Sequence, residues 1–145
     1  MKHLLIIFSF LLLFSSTFIS CKSTDNTTTS PWTKQLGTTS RDIGIGVTTD
    51  SSDNIYVTGY TKGGLDRNTN SGEGDIVLIK FNSSGTKQWT KQLGTSSHDH
   101  GNGVTTDSSG NIYVTGYTLG GLDGNTNSGE YDIFLVKYNS SVIGL

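Results

Sequence analysis

The chain has 145 residues with 10 basic and 12 acidic side chains, which allows one small domain and gives no charge excess that would favour a nucleic-acid partner. Its single cysteine excludes an internal disulfide and any metal site built from several cysteines. Leu, Ile, Val and Phe number 37, but 12 of them lie in residues 1–20. The other 125 residues hold only 25, about 20%, which is close to the lower limit for an ordered core.

The amino terminus has the pattern of a secretory signal peptide. Met1–His3 carries a positive charge, and Leu4–Phe14 is an apolar run of eleven residues. A helix that spans a bilayer core of about 30 Å needs ~20 residues, so this run is too short to cross. It fits the apolar region of a leader, which we predict to end at residue 20.

The residues after the apolar run resemble a bacterial lipobox. Ser20 directly precedes Cys21, the only cysteine, although Phe18 and Ile19 stand where that family prefers Leu and then Ala or Ser. The resemblance implies cleavage before Cys21, a diacylglyceryl thioether on its sulfur and an N-acyl chain such as palmitate. An ordinary signal peptide with an incidental cysteine and an uncleaved anchor are the alternatives.

The lipobox also predicts a location for the chain. Several acyl chains hold a protein on a membrane more firmly than one, so we expect an exported membrane lipoprotein. Lys22 stands where an Asp retains many lipoproteins at the inner membrane, and this favours the outer membrane or cell surface by analogy. Residues 21–31 have no apolar side chain apart from Cys21 and Pro31, and we predict a flexible tether.

The remaining sequence consists of two copies of one repeat. Trp32–Gly37 recurs as Trp89–Gly94, an offset of 57 residues, and 42 of 53 positions match between 32–84 and 89–141. A fixed period of this length predicts a repeat architecture, with one unit in 32–88 and a second in 89–145.

Each unit is predicted to form four short strands in an all-β fold. In the first unit these are Trp32–Leu36, a strand centred on Gly46–Thr49, Ile55–Thr61 and Asp75–Phe81, in which apolar and polar residues alternate or apolar residues run together. Clusters of Asp, Asn, Ser and Gly between them favour tight turns. No segment combines helical periodicity with helix caps.

The second unit carries a specific resemblance. Residues 103–118 and 132–139 are similar to the SBBP β-propeller repeat of exported and surface bacterial proteins, and the resemblance covers nearly all of 32–141. It implies two four-stranded antiparallel blades. Propellers close with about 4–8 blades, so two blades form an incomplete propeller.

Three interpretations of the short array stay open. The repeat pattern breaks after Ser141, which favours a truncated or frameshifted longer gene. Alternatively, copies of the chain associate as a homo-oligomer that completes a propeller, or two blades form a stable sandwich by themselves.

Two loops are candidate calcium sites, because they place oxygen side chains at alternating positions. The candidate ligands are Asp66, Asn68 and Asn70 in the first unit and Asp123, Asn125 and Asn127 in the second. The EF-hand pattern is not met, since Gly falls at the seventh place and Val77 or Phe134 stands where the final Glu belongs. We therefore predict polar connecting loops, with calcium as the alternative.

Other candidate side chains also have an ordinary structural interpretation. His98 and His100 are candidate metal ligands, but Arg41 and Ile43 replace them in the first unit, which favours a surface loop. Trp32 and Trp89 are predicted to pack between blades, with sugar stacking as the alternative.

Function is the least determined property of this sequence. No Ser-His-Asp arrangement is supported, so we predict a non-catalytic binding module for a protein or glycan ligand, with no cofactor other than the lipid or calcium. A fragment with little function of its own is the alternative, and an enzyme with unrecognised loop residues is a remote one.

Overall fold

The structure is a computed structural model that describes residues 31–139. The predicted signal peptide, the lipidation site at Cys21 and nearly all of the tether lie outside the described residues. Within 31–139 no helix is long and apolar enough to cross a membrane. The described elements are seven strands and two short 3-10 turns: β1 Asp42–Thr49, β2 Ile55–Thr61, the turn Leu65–Arg67, β3 Asp75–Phe81, β4 Lys87–Leu93, β5 Asp99–Thr106, β6 Ile112–Thr118, the turn Leu122–Gly124 and β7 Asp132–Tyr138.

The strands form two antiparallel sheets, which we call blade 1 and blade 2. Blade 1 has the order β1-β2-β3-β4, and blade 2 has the order β5-β6-β7. The prediction of an all-β fold with two antiparallel blades is confirmed. Blade 2 has three strands within the described residues, whereas four were predicted.

The strand that begins the second sequence repeat belongs to the sheet of the first repeat. Trp89–Leu93 lies in β4 and pairs with β3, with Leu93 opposite Ile76. Trp32–Leu36, the same sequence in the first repeat, is not a strand, and its prediction as one was wrong. A strand needs a neighbour for its backbone hydrogen bonds, and no described strand precedes Trp32 to supply one. Sheet boundaries are therefore offset from repeat boundaries.

The main core lies between the two blades. Alternation along the strands gives each blade a leading face, on the side of the preceding repeat, and a trailing face, on the side of the following one. The trailing face of blade 1 packs against the leading face of blade 2. The buried side chains of this core are Tyr56, Ile76, Leu78, Ile112, Val114, Leu122 and Phe134.

The two outer faces are covered differently. On the leading face of blade 1, Val77, Ile79 and Phe81 form a smaller buried cluster with Leu65, and Leu36 packs against it. On the trailing face of blade 2, Ile133 is 88% exposed and Leu135 is 71% exposed. The low apolar content of the sequence therefore supplies one interblade core and one partly covered face.

The turns between the first two strands of each blade are fixed by an aspartate. Asp50 accepts hydrogen bonds from the backbone N–H groups of Ser52 and Asn54 and from the Tyr56 hydroxyl, at 2.9–3.0 Å. Asp107 plays the same part in blade 2. Such side-chain bonds to the backbone explain why the Asp-Ser-Ser pattern forms a turn here.

Candidate functional site

The two ends of the blades differ in the length of their connections. One end carries only the tight turns at 50–54, 82–86 and 107–111. The other end, which we call the loop end, carries the long segments 62–74 and 119–131 and the connection 94–98 from β4 to β5. Binding residues concentrate on loops that a rigid scaffold positions, so the loop end is where a site is expected.

At the loop end, an aromatic cluster joins the two blades. His100 on β5 stacks on Tyr60 of blade 1 with 3.8 Å between ring centroids, and on Tyr117 of blade 2 with 4.7 Å. The Tyr117 hydroxyl lies 2.8 Å from His100 Nδ1, at hydrogen-bond distance. Tyr131 contacts Tyr117 edge to face at 5.1 Å and is itself 64% exposed. The rings thus run from the interblade contact out to the solvent.

A contact between Glu73 and His98 borders these rings. His98 Nε2 lies 2.7 Å from the carboxylate of Glu73, and the His98 ring meets the His100 ring edge to face at 6.0 Å. Glu73 is exposed, whereas His98 is half-buried. We call the set Tyr60, Glu73, His98, His100, Tyr117 and Tyr131 the Tyr-His cluster.

The prediction of a surface loop at His98–His100 was wrong for His100, which lies in β5 and is half-buried between two tyrosines. Asp99, between the two histidines, is fully buried. It accepts hydrogen bonds from the backbone N–H of Thr95 at 2.6 Å and from the Thr118 hydroxyl. Asp99 therefore fixes the start of β5.

The differences between the repeats point to the Tyr-His cluster. Only 11 of the 53 compared positions differ, and His98, His100 and Tyr131 are three of them. Their counterparts in the first repeat are Arg41, Ile43 and Gly74. The sequence alone does not reveal this signal, because the three positions are far apart along the chain and meet only in the folded structure.

Burial and neighbouring charge alter the titration of the cluster. Partial burial, with a further contribution from nearby His98, holds the pKa of His100 below its usual value. Burial, followed by the charges of Tyr131 and Tyr60, raises the pKa of Tyr117. Both shifts favour the uncharged forms of His100 and Tyr117 at neutral pH, which suits these two rings to stacking and hydrogen bonding.

The predicted calcium ligands of the first loop are engaged in bonds within the protein. The Asp66 carboxylate pairs with Lys87 and accepts a hydrogen bond from Thr90. The side-chain amide of Asn68 donates to the Leu65 carbonyl at 2.7 Å, and that of Asn70 donates to the Gly72 carbonyl. These bonds shape the loop.

The second loop repeats part of this pattern. The Asn125 amide donates to the Leu122 carbonyl at 2.9 Å, and Asn127 accepts from the Gly129 N–H at 3.0 Å. Asp123 lies at the turn with a positive φ of 52°. Within 31–139, no group of three or more His, Cys, Asp or Glu is placed to hold a metal ion. Calcium binding stays a prediction.

The two tryptophans have different surroundings. Trp89 packs against the interblade core, with its ring 6.1 Å from that of Tyr56. Trp32 lines a groove on the leading face of blade 1 and is 45% exposed. Packing between blades therefore describes Trp89 alone.

Comparison with known proteins identifies the repeat. A comparison with curated proteins finds no match. The family model described as SBBP, a beta-propeller repeat, matches residues 32–71 and 88–123, which is more than half of the chain. Together with the two antiparallel sheets, this match shows that the chain belongs to the SBBP family of beta-propeller repeats.

Proposed function

We propose that this protein is an exported, lipid-anchored, non-catalytic binding module that recognises a glycan through its Tyr-His cluster. The observation that carries the proposal is the convergence of His98, His100 and Tyr131 on one place at the loop end. These residues differ from the first repeat, whereas most of the surrounding sequence is the same.

The chemistry of the cluster favours a glycan. Tyr131 offers an exposed ring on which the C–H face of a sugar can stack. The Glu73 carboxylate is exposed beside the rings and can accept hydrogen bonds from hydroxyl groups. A small-molecule site usually combines a few polar groups with aromatic and apolar side chains.

A non-catalytic role is supported by the hydrogen bonds of polar groups in the cluster and next to it. Asp99 is engaged with Thr95 and Thr118, and the Tyr117 hydroxyl lies at hydrogen-bond distance from His100. An acid, base or nucleophile has to reach a substrate, and these groups are already bonded within the protein.

The test is a glycan array probed with the wild type and with a repeat-swap variant. The variant carries His98→Arg, His100→Ile and Tyr131→Gly, which are the residues that the first repeat uses at the same positions. We expect the wild type to bind a defined set of glycans and the variant to lose at least about tenfold in affinity, as removal of a stacked aromatic contact does. A variant with Asp53→Gly, the residue at that position in the second repeat, is the control, because Asp53 lies in a turn at the opposite end of the blade. No glycan bound by the wild type, or equal binding by the variant, would overturn the proposal.

Membrane attachment is tested separately. Cells that express the full chain are labelled with a palmitate analogue, and Cys21→Ala is the control variant. We expect label on the wild type and none on Cys21→Ala. An unlabelled wild type would contradict the lipid anchor and leave the binding experiment unaffected.

A further inference from the structure

Blade 2 has an outer edge without a partner strand. β7 pairs only with β6 among the described residues, and a groove of about 760 Å³ runs along it. The groove is lined by the 3-10 turn at Leu122–Gly124, by Asp132 and by side chains of β7. Open strand edges and exposed apolar faces favour association with another chain.

In blade 1, a fourth strand occupies the edge that is open in blade 2. Its β3 carries β4 along the corresponding edge, and Gln92 on β4 fastens the strand to the loop end. The Gln92 amide donates to the carbonyls of Gly63 and Thr69 and to Asp75, at 2.9–3.3 Å, and its carbonyl accepts from the Leu65 N–H at 3.1 Å.

The groove on blade 2 carries the same set of partners. An offset of 57 residues converts the four partners of Gln92 into four residues that line the groove: Gly120, Leu122, Thr126 and Asp132. The segment that fits there is the Trp-Thr-Lys-Gln-Leu sequence of β4. The same sequence stands at Trp32–Leu36, which forms no strand.

Trp32–Leu36 already lies beside the face that a preceding blade would cover. Leu36 packs on the leading face of blade 1, as Leu93 packs on the interblade core. Next to it is an apolar groove of about 420 Å³ lined by Val47, Val57 and Ile79, among others. The segment therefore has the place of an outermost strand, and no sheet within 31–139 pairs with it.

We propose that copies of this chain associate head to tail, with Trp32–Leu36 of one copy adding as the fourth strand to β7 of the next. The leading face of blade 1 then packs on the trailing face of blade 2 of the neighbouring copy. This contact repeats the interblade interface already present within the chain. The inference is independent of the proposed glycan site.

Charge complementarity at the loop end supports the same contact. Glu73 of blade 1 pairs with His98 at the start of blade 2. Glu130 is the counterpart of Glu73 in the second repeat, and Arg41 is the counterpart of His98 in the first repeat. In the proposed contact, Glu130 of one copy and Arg41 of the next copy therefore take the places of Glu73 and His98. Glu130 and Arg41 are exposed and have no ion pair within 31–139. Head-to-tail contact brings Glu130 against Arg41 as a second acidic–basic pair.

A contact of this kind is heterologous, because it joins two different surfaces. Heterologous contacts generate rings when the rotation closes. With two blades per copy, closed rings of two, three or four copies have four, six or eight blades, which is the range of about 4–8 that propellers use.

Two glycines allow the contact to be broken without disturbing a single copy. At Gly101 on β5, a Cβ would overlap the hydroxyl of Thr58 and lie 3.0 Å from Ile76 across the interblade interface. At its counterpart Gly44, the nearest atom to a Cβ is Val57 Cγ1 at 3.5 Å, an ordinary contact. In the proposed contact, Gly44 faces the neighbour's equivalent of Thr58, and Gly44→Ala clashes there.

The second glycine lies on the opposite surface. A Cβ at Gly72 would overlap the backbone of Thr95 and Ser96. At its counterpart Gly129, no described atom lies within 4 Å of a Cβ. Gly129→Ala therefore disturbs only a neighbouring copy, in which Thr38 and Thr39 take the places of Thr95 and Ser96.

The first experiment measures mass by light scattering on residues 22–145, which contain the whole compact unit that begins at Trp32. We expect the wild type to form a discrete oligomer of two, three or four copies. Gly44→Ala and Gly129→Ala should each remain folded by circular dichroism and associate about tenfold more weakly or worse. A folded wild-type monomer at every concentration, or association that neither substitution weakens, would overturn the proposal.

Mixing the two variants tests the direction of the contact. Gly44→Ala keeps an intact trailing face, and Gly129→Ala keeps an intact leading face. A head-to-tail contact therefore gives an open pair with one copy of each variant, and no ring. Failure of the mixture to form this pair would exclude a head-to-tail contact.

The second experiment tests the strand register in cells that export the full chain. The β3–β4 pairing places Leu78 opposite Lys91, so Lys34 of one copy should lie opposite Leu135 of another. Lys34→Cys with Leu135→Cys should cross-link copies into a ladder upon oxidation, because paired residues across a sheet lie within disulfide reach. Thr33→Cys with Leu135→Cys is the control, because Thr33 is exposed and its side chain should point to the opposite face of the added strand from Lys34. Equal ladders from both variants, or none from either, would contradict the register.

Discussion

The two blades have nearly the same sequence and different surroundings. Leu78 in blade 1 is 1% exposed in the interblade core, whereas Leu135, its counterpart in blade 2, is 71% exposed. Outer strands differ in the same way, since Trp89–Leu93 forms part of β4 and Trp32–Leu36 is unpaired. Place in the stack therefore decides which copies of a residue are buried, because each blade needs its neighbours to cover both faces.

The few positions at which the blades differ are not spread evenly. His98, His100 and Tyr131 meet at the loop end and are the candidate binding residues. Two other differences lie at turns, where Asp53 and Arg67 have positive φ and the second repeat has glycine. The sequence differences at His98, His100 and Tyr131 thus bear on function, whereas those at Asp53 and Arg67 bear on backbone geometry.

The largest expected difference between the blades concerns the paired leucines. Leu78→Ala should lower the free energy of unfolding by about 2–5 kcal/mol, because it leaves a cavity in the interblade core. Leu135→Ala should change it by less than about 0.5 kcal/mol, since the side chain is already in solvent. Urea unfolding at concentrations where copies are separate measures both. Similar costs for the two variants would show that blade 2 is covered in solution even in a single copy.

The paired glutamines give the next largest difference. Gln92→Ala removes four hydrogen bonds between β4 and the loop end, and should cost about 1–3 kcal/mol. Gln35→Ala should be nearly neutral in a single copy, because Gln35 has no described partner strand. Urea midpoints of the two variants provide the comparison. A neutral Gln92→Ala would mean that backbone pairing alone holds β4.

The strands that depend on local pattern were predictable from the sequence. Ile55–Thr61 and Asp75–Phe81 were predicted with the bounds that the structure gives, because their alternation and flanking turns are local signals. The prediction of a strand at Trp32–Leu36 was wrong for the opposite reason. Its apolar pattern fits a strand, but a strand forms only where the edge of another strand is available to pair with it. Local sequence does not record whether that partner is present.

The candidate site was less predictable than the fold. His98 and His100 were noticed as a pair, but stacking on Tyr60 depends on the packing of one blade on another across 40 residues of sequence. Tyr131 gave no signal by itself, because a lone tyrosine before a strand is unremarkable. Only the positions that differ between repeats, combined with the interblade packing, identify the cluster.

A smaller difference is expected at the turn that follows β1. Asp53 adopts φ 60°, whereas Gly110 at the same place in blade 2 adopts φ 76°. Asp53→Gly should stabilise the protein by about 0.5 kcal/mol, because relief of left-handed strain exceeds the entropy that glycine loses on folding. The reciprocal variant Gly110→Asp should destabilise by a similar amount. Unchanged urea midpoints in both variants would show that aspartate is accommodated here without strain.

The smallest expected effect is the pH dependence that His100 gives to blade 2, since blade 1 has Ile43 at the same position. Burial and the neighbouring His98 lower the pKa of His100 from its ordinary 6.5, Asp99 opposes this, and Lys62 adds to it. The unfolded chain therefore binds a proton near pH 6.5 that the folded chain does not yet bind. By linkage, the contribution of His100 to stability is full above pH 6.5 and falls as pH drops through that value towards the lower folded pKa. His100→Ile, which copies Ile43 of blade 1, should remove this part of the pH dependence when thermal unfolding is followed from pH 7 to pH 5. If His100→Ile loses as much stability between pH 7 and pH 5 as the wild type does, other groups cause the pH dependence. The stability of the Tyr-His cluster would then be insensitive to protonation of His100.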